Sequence, residues 1–195
     1  MQVAQGDLAG ALKSYRDGLA IAERLTQSDR GNADWQRGLL ALYNNVGSVQ
    51  VARGDLAGAL KSYRDGLAIA DRLAKADPGN AGWQRDLSVS YVKVGDVLMD
   101  QGNLADALEA YRDGLAIADR LAKADPGNAG WQHDLSVSYA NLANAYRMVG
   151  QLPQAREQLT AGRTIIARLT EIYPDWSQWK KDLAWFDGQI AALSK

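Results

Sequence analysis

Apolar residues recur along this chain at helical spacing. Leu56, Leu60, Tyr63, Leu67 and Ala70 step by four, three, four and three, one stripe of an amphipathic helix. A second stripe runs through Trp83, Leu87, Val94 and Leu98, with Tyr91 filling it in. Between them, Asp77-Pro78-Gly79-Asn80 stops one helix and starts the next: Pro and Gly end the first, and Asn80 is a natural N-cap for the second. Asp55, after Gly54, can cap the first helix by accepting its orphan N–H groups. The unit is therefore two antiparallel helices of roughly 20 residues, each roughly 30 Å long. Applied along the chain, the same reading predicts helices over 7–28, 33–52, 55–76, 81–101, 103–124, 129–149, 152–172 and 175–193, with Asp175 capping the last. No alternating pattern predicts a strand.

The unit repeats. Trp35, Trp83, Trp131 and Trp179 stand 48 residues apart, as do Gly6, Gly54, Gly102 and Gly150, and Tyr15, Tyr63 and Tyr111. The run GDLAGALKSYRDGLAIA occurs at 6–22 and again at 54–70, and RDGLAIADRLAKADPGNAGWQ at 64–84 and again at 112–132. The 195 residues hold four periods of 48 with three left over. Such tandem duplication predicts an all-α stack of helix hairpins.

Tyr91, Val94-Gly95, Leu98, Gly102, Ala107, Tyr111 and Gly114 fall where one repeat family places its large, small and aromatic residues. Tyr139, Leu142, Tyr146, Gly150, Ala155 and Gly162 do so in the next repeat, and Tyr43, Val46-Gly47, Gly54, Ala59, Tyr63 and Gly66 in the preceding one. The chain thus resembles the tetratricopeptide repeat (TPR) family over nearly its whole length. Departures are Gln50 and Leu98 for an aromatic, Ala143 for Gly, and Leu159 for an aromatic. Length is the main one, 48 residues against the family's 34. Pro78, Pro126 and Pro174 each come seven residues late, so the second helix is seven residues longer; the other seven lengthen the start of the first, carrying Trp83 and Leu87. Trp83 is then expected to pack on the added turns holding Ile69 and Leu73.

The resemblance implies a right-handed α-solenoid of about eight helices, a single TPR-like domain over 1–195. Its parts would be a half repeat at 1–28, full helix pairs at 33–76, 81–124 and 129–172, and a capping helix at 175–195. It also implies that the first helix of each pair lines a concave groove that takes a peptide. By alignment, the groove positions include Asn44, Ser48 and Val51, then Val89, Val92, Asp96, Met99 and Asp100, then Ala140, Asn144, Arg147 and Met148.

The repeats themselves single out that face. Residues 54–91 match 102–139 with five differences, whereas 92–101 and 140–149 share no residue. Variation is thus concentrated in the second half of the first helix, where most groove positions fall. Either this is a diversified binding wall on a uniform scaffold, or residues 92 and 140 mark a duplication boundary beyond which an older copy has drifted. Valines, two methionines and amides suit an apolar or neutral segment, with methionine able to re-pack around varied side chains. The positions where TPR clamps for acidic tails carry cations hold Ala41, Val89, Val137, Asn44 and Asn141 here, with Lys93 the one cation nearby.

Composition narrows the chemistry. A net charge of −1 argues against the basic footprint that nucleic acid or an anionic membrane demands. With no Cys and one His, disulfides, Cys nucleophiles and multi-His metal sites drop out. No nucleophile elbow, phosphate loop or zinc-protease motif is present, so no catalysis and no cofactor are expected. His133 replaces Arg37 and Arg85 of sister repeats and reads as a surface substitution, the repeated Trp as core, and the Arg64-Asp65 and Arg112-Asp113 pairs as ion pairs. No signal-like or membrane-spanning run appears, which suits a cytoplasmic protein or a piece of something larger.

A second function is self-association. Residues 1–5 align with 97–101, the tail of a first helix, so the helix at 7–28 lacks its partner and its stripe Leu8, Leu12, Tyr15 and Leu19 is expected to be partly bare. At 175–193, Trp179, Leu183, Phe186, Ile190 and Leu193 predict a closing helix, with Lys180, Lys181, Asp187 and Gln189 toward water and Trp185 off the stripe.

Overall fold

A computed structural model describes residues 7–193. Gly6, the alignment of residues 1–5 with a helix tail, and the last two residues of the closing segment lie outside the described residues. Within them the chain forms eight α-helices and no strand: α1 (Leu8–Ser28), α2 (Ala33–Ala52), α3 (Leu56–Ala76), α4 (Ala81–Asp100), α5 (Leu104–Ala124), α6 (Ala129–Met148), α7 (Leu152–Ile172) and α8 (Ser177–Ala192).

Side chains cap five of the eight helices, α1 to α4 and α6, while α5, α7 and α8 start without one. Asp55 Oδ1 accepts the Gly58 N–H at 2.9 Å, and Asp7 does the same for Gly10 at 2.8 Å. Asn32, Asn80 and Asn128 each accept the N–H of the Trp three residues on, at 3.1 Å. Each such cap is worth about 1 kcal/mol. Gly54, Gly102 and Gly150 have φ near +75°, the left-handed turn that carries a first helix into a second. Asp175 departs from expectation. It occupies a turn, Trp176 takes the cap position without a side-chain bond, and α8 begins at Ser177. The 48-residue register explains this, because Trp176 is the counterpart of Asn80 and Asn128.

The chain divides into two compact units, Met1–Gly102 and Asn103–Lys195. In the first, α1 packs on α2, α2 on α3 and α3 on α4. Ala11, Leu12, Val46 and Val49 form one core cluster, with Leu8 and Tyr15 against it. The α2/α3 contact is close: a Cβ on Gly47 would stand 2.6 Å from the Tyr63 ring. In the second unit, α5 packs on α6, α6 on α7 and α7 on α8. Its cores are Ala118, Ala122 and Leu135, and a second cluster of Ala143, Leu159, Ile166, Leu169, Trp179 and Phe186. Leu183, Ile190 and Leu193 pack against that second cluster, as the closing stripe predicts. Here a Cβ on Gly162 would stand 2.7 Å from the Phe186 ring and 3.2 Å from the Ser136 carbonyl oxygen.

The tryptophans sit at the margin of the core. Trp179 is buried, but Trp35, Trp83 and Trp131 are half-buried. Trp131 lies against Ala118, Ala122 and Leu135. By register this points Trp83 toward Ala70 and Ala74, one residue round the helix from the expected Ile69 and Leu73. The neighbouring glutamines do what the sequence did not reveal. Gln84 Nε2 donates to the Ala74 carbonyl at 3.1 Å and Gln132 Nε2 to the Ala122 carbonyl at 2.9 Å. They satisfy carbonyls that a helix C-terminus leaves without partners.

The α1 stripe is partly bare: Leu12 is buried, while Leu8 and Tyr15, which pack against the α1/α2 cluster, and Leu19 are only half-buried. Barer still are two residues outside that stripe, Ile21, 60% exposed, and Leu25, 41% exposed. Their counterparts in α3, Ile69 and Leu73, are 5% and 2% exposed. Leu73→Ala is expected to cost about 2–5 kcal/mol in urea denaturation, and Leu25→Ala less than about 1 kcal/mol. Gly162→Val, driven into the Phe186 ring and a backbone oxygen, should cost at least about 1–3 kcal/mol in the same assay.

Candidate functional site

The predicted groove residues lie on first helices, which share packing rules but differ in what they expose. On α2, Asn44 is half-buried, and its Oδ1 is enclosed with no hydrogen-bond partner. That oxygen lies 3.7 Å from where a Cβ would stand on Gly66, so it is turned toward α3. Ser48 is exposed; its hydroxyl bonds the Asn44 carbonyl at 2.9 Å and the Tyr63 hydroxyl at 3.0 Å. Val51 is half-buried.

On α4, Val89, Asp96 and Asp100 are exposed, and Val92 and Met99 half-buried. The Lys93 ammonium stands 5.3 Å from the Tyr63 ring centroid, a cation–π contact. Burial pushes the Tyr63 phenol above its ordinary value; the Ser48 hydrogen bond opposes the shift and the Asp96 charge adds to it. The one cation near the predicted clamp positions is therefore already placed over an aromatic ring.

On α6, Ala140 is half-buried and Asn144, Arg147 and Met148 are exposed. Arg147 Nη2 donates to Asn144 Oδ1 at 2.9 Å. Ala140, Asn144 and Arg147 line a cavity of about 420 Å³ that α6, α7 and α8 enclose. Its apolar lining comes from Ala140, Ala143, Ala155 and Leu159, and its polar groups are Asn141, Asn144, Arg147 and Gln189. Trp185 forms one wall, 46% exposed, its ring edge-on to Phe186 with centroids 5.0 Å apart. Met148 is outside the lining. Sequence reasoning did not assign Trp185 to the site; the available signal was its departure from the Trp179, Leu183, Phe186 and Ile190 stripe.

Ion pairs bridge neighbouring first helices. Arg37 Nε meets Asp86 Oδ2 at 2.9 Å between α2 and α4. His133 Nε2 meets Asp182 Oδ2 at 3.2 Å between α6 and α8, at the same two repeat positions. His133 is thus a rung between helices and not a bare substitution. Between second and first helices, Arg163 pairs with Asp187, and Arg112 Nη2 donates to the Tyr146 hydroxyl at 3.1 Å. Among the described residues no group of His, Cys, Asp and Glu could hold a metal, and no helix is long and apolar enough to cross a membrane.

No protein-family model matches the chain, and no curated protein matches its sequence. Solved structures do. BtubC (BKLC) from P. vanneervenii superposes with a TM-score of 0.62 and 20% identity, over 83% of this chain and 58% of that one. A putative kinesin light chain from Podosopora anserina, with nearly identical TPR-like repeats, gives 0.62 and 16% over 99% and 90%. The fold is TPR-like. Yeast Hif1, a histone chaperone described as a scaffold protein recruiting protein complexes to core histones, gives 0.64 and 13% over 98% and 96%. At these identities the TPR-like likeness extends to the fold alone, and the chain spans little more than half of BtubC.

His133→Arg, which restores the sister residue, should hold or raise stability by up to about 0.5 kcal/mol. Asp182→Ala should lower it by about 0.2–1 kcal/mol, both read from urea denaturation midpoints at neutral pH.

Proposed function

We propose that the chain is a cytoplasmic protein-interaction scaffold, not a catalyst, and that the inner face of its first helices binds a peptide segment of a partner protein. The cavity beside α6 carries this reading, because three of the predicted groove residues line it and lie in the stretch that the repeats do not share. The TPR-like fold is consistent with it, and Hif1, of the same fold, is described as a scaffold.

Chemistry suggests what would bind. Ala140, Ala143 and Leu159 offer a place for one aliphatic side chain, and Trp185 a flat wall beside it. Asn141, Asn144 and Gln189 carry both donors and acceptors, which suits the backbone of an extended segment. The lining is mostly alanine, leucine and amide with Arg147 as its one charged group, which suits an apolar or neutral segment better than an acidic tail. A second reading, a self-assembling module associating through its N-terminal helix, is favoured by a separate observation, the exposure of Ile21 and Leu25.

Selection of random peptides displayed on phage tests the groove. Enriched peptides should share an aliphatic anchor and lose affinity at least about 10-fold, or 1.4 kcal/mol, to Asn144→Trp, which fills the cavity. Arg147→Glu should shift the selected sequences toward basic residues. Peptides that bind Asn144→Trp as well as the native chain would overturn the assignment.

A further inference from the structure

Helix α1 has a face built for burial that its own unit leaves open. From Leu8 to Ala22 it is identical in sequence to α3 from Leu56 to Ala70. Yet Ile21 and Leu25 are exposed where Ile69 and Leu73 are buried. Neighbours account for the difference: α3 packs on both α2 and α4, while among the described residues α1 packs mainly on α2. By register α2 stands to α1 as α4 stands to α3, so the uncovered side of α1 corresponds to the one α3 turns toward α2. That contact is a template for what fits there. It is a first-type helix, antiparallel, presenting Leu40 to Gly66 and a residue without bulk, Gly47, to Tyr63.

Helix α8 is a first-type helix with its receiving side open. It stands at the phase of α2, α4 and α6, and among the described residues it packs mainly on α7. Its Ala184 and Ala191 are exposed, whereas their counterparts in α6, Ser136 and Ala143, are buried, because α6 has α7 as its second helix. Ala191 is the counterpart of Gly47, and Ala184 that of Leu40, so on α8 a shorter side chain stands where Leu40 meets Gly66.

We propose that the open face of α1 docks on the open face of α8 from a second copy of this chain, completing one first-and-second-helix pair of the 48-residue repeat across the contact. Tyr15 and Gly18 take the places that Tyr63 and Gly66 take on α2, and Ile21 and Leu25 are covered by the start of α8. Ala191 carries a Cβ that Gly47 lacks, so Tyr15 sits further out than Tyr63 does. Each copy has one face of each kind, so the contact joins two different surfaces, and every copy carries one of each.

Sedimentation velocity on the full chain tests this over about 5 to 500 µM, where mass action favours association. The weight-average mass should rise above the mass of one chain as concentration increases. Ile21→Glu with Leu25→Glu blocks one face, and Ala184→Arg with Ala191→Arg the other; each variant alone should stay monomeric. Mixed in equal amounts, the two should form a species that stops at two chains, because each keeps the face the other has lost. All four positions are exposed in the single chain, so circular dichroism and the melting temperature should be unchanged. A monomer at every concentration, or a mixture of the two variants that does not pair, would each overturn the proposal.

Discussion

The second helix of this repeat carries apolar side chains on two sides, and it must lie between two first helices to bury both. Helix α3 meets that requirement between α2 and α4, and its Ile69, Ala70, Leu73 and Ala74 are all buried. Much of the rest follows from this sandwich. Lengthening the second helix by about two turns adds a further apolar stretch, which stays covered only if the first helices lengthen at the adjoining end. The extra turns with Trp83 and Leu87 supply that cover. Glycine at 47, 66 and 162 lets aromatic or branched side chains from the facing helix come within reach. A larger residue at 47 or 162 would push an aromatic ring, and with it a helix, out of the sandwich.

The first helix has a different freedom. Its packing faces are spent on Leu87, Val94, Val97 and Leu98 in α4, and on Leu135, Leu142, Ala143 and Ala145 in α6. The face left over holds Val89, Asp96 and Asp100 in one and Asn144, Arg147 and Met148 in the other, all exposed. Substitution there costs the sandwich little, so this is where copies of a duplicated unit can diverge and remain folded. Physical tolerance explains why variation is permitted at those positions. It does not choose between selection for binding and drift, and the Asn144→Trp comparison separates the two.

Most of the fold was legible in the sequence because periodic stripes and caps are local signals. Helix boundaries fall within two residues of the pattern, and Asp55 and Asn80 cap as their types dictate. What was not legible depends on which neighbour a face meets. The stripe Leu8, Leu12, Tyr15 and Leu19 reads as partly bare and all but Leu12 are half-buried; that Ile21 and Leu25 are barer still depends on which side of the helix its neighbour covers, which spacing does not fix. Asn44 was placed on the groove by alignment, yet its Oδ1 turns inward toward Gly66, an orientation that residue spacing does not fix. Trp185 and Gln189 reach the cavity from α8, a helix that the family pattern treated as a closing element.

The start of α8 shows how the most divergent repeat holds its geometry by other means. Where the earlier turns run Asp-Pro-Gly-Asn, or Asp-Arg-Gly-Asn at 29–32, with an Asp carboxylate on the Gly N–H and an Asn capping the helix, this one has Tyr173-Pro174-Asp175-Trp176. The cap hydrogen bond is lost. In its place Trp176 stacks on Trp179 at 4.9 Å and 11°, and Tyr173 meets Trp179 edge-on at 5.1 Å. Aromatic pairs of this kind contribute about 0.5–1.5 kcal/mol each, comparable to the cap they replace. Trp179 is accordingly the one repeat tryptophan that is fully buried, since rings on two sides cover what solvent reaches in Trp35, Trp83 and Trp131. The exchange anchors α8 against α7 from its first turn, and with Phe186 seated over Gly162 it holds the helix that supplies Trp185 to the cavity wall.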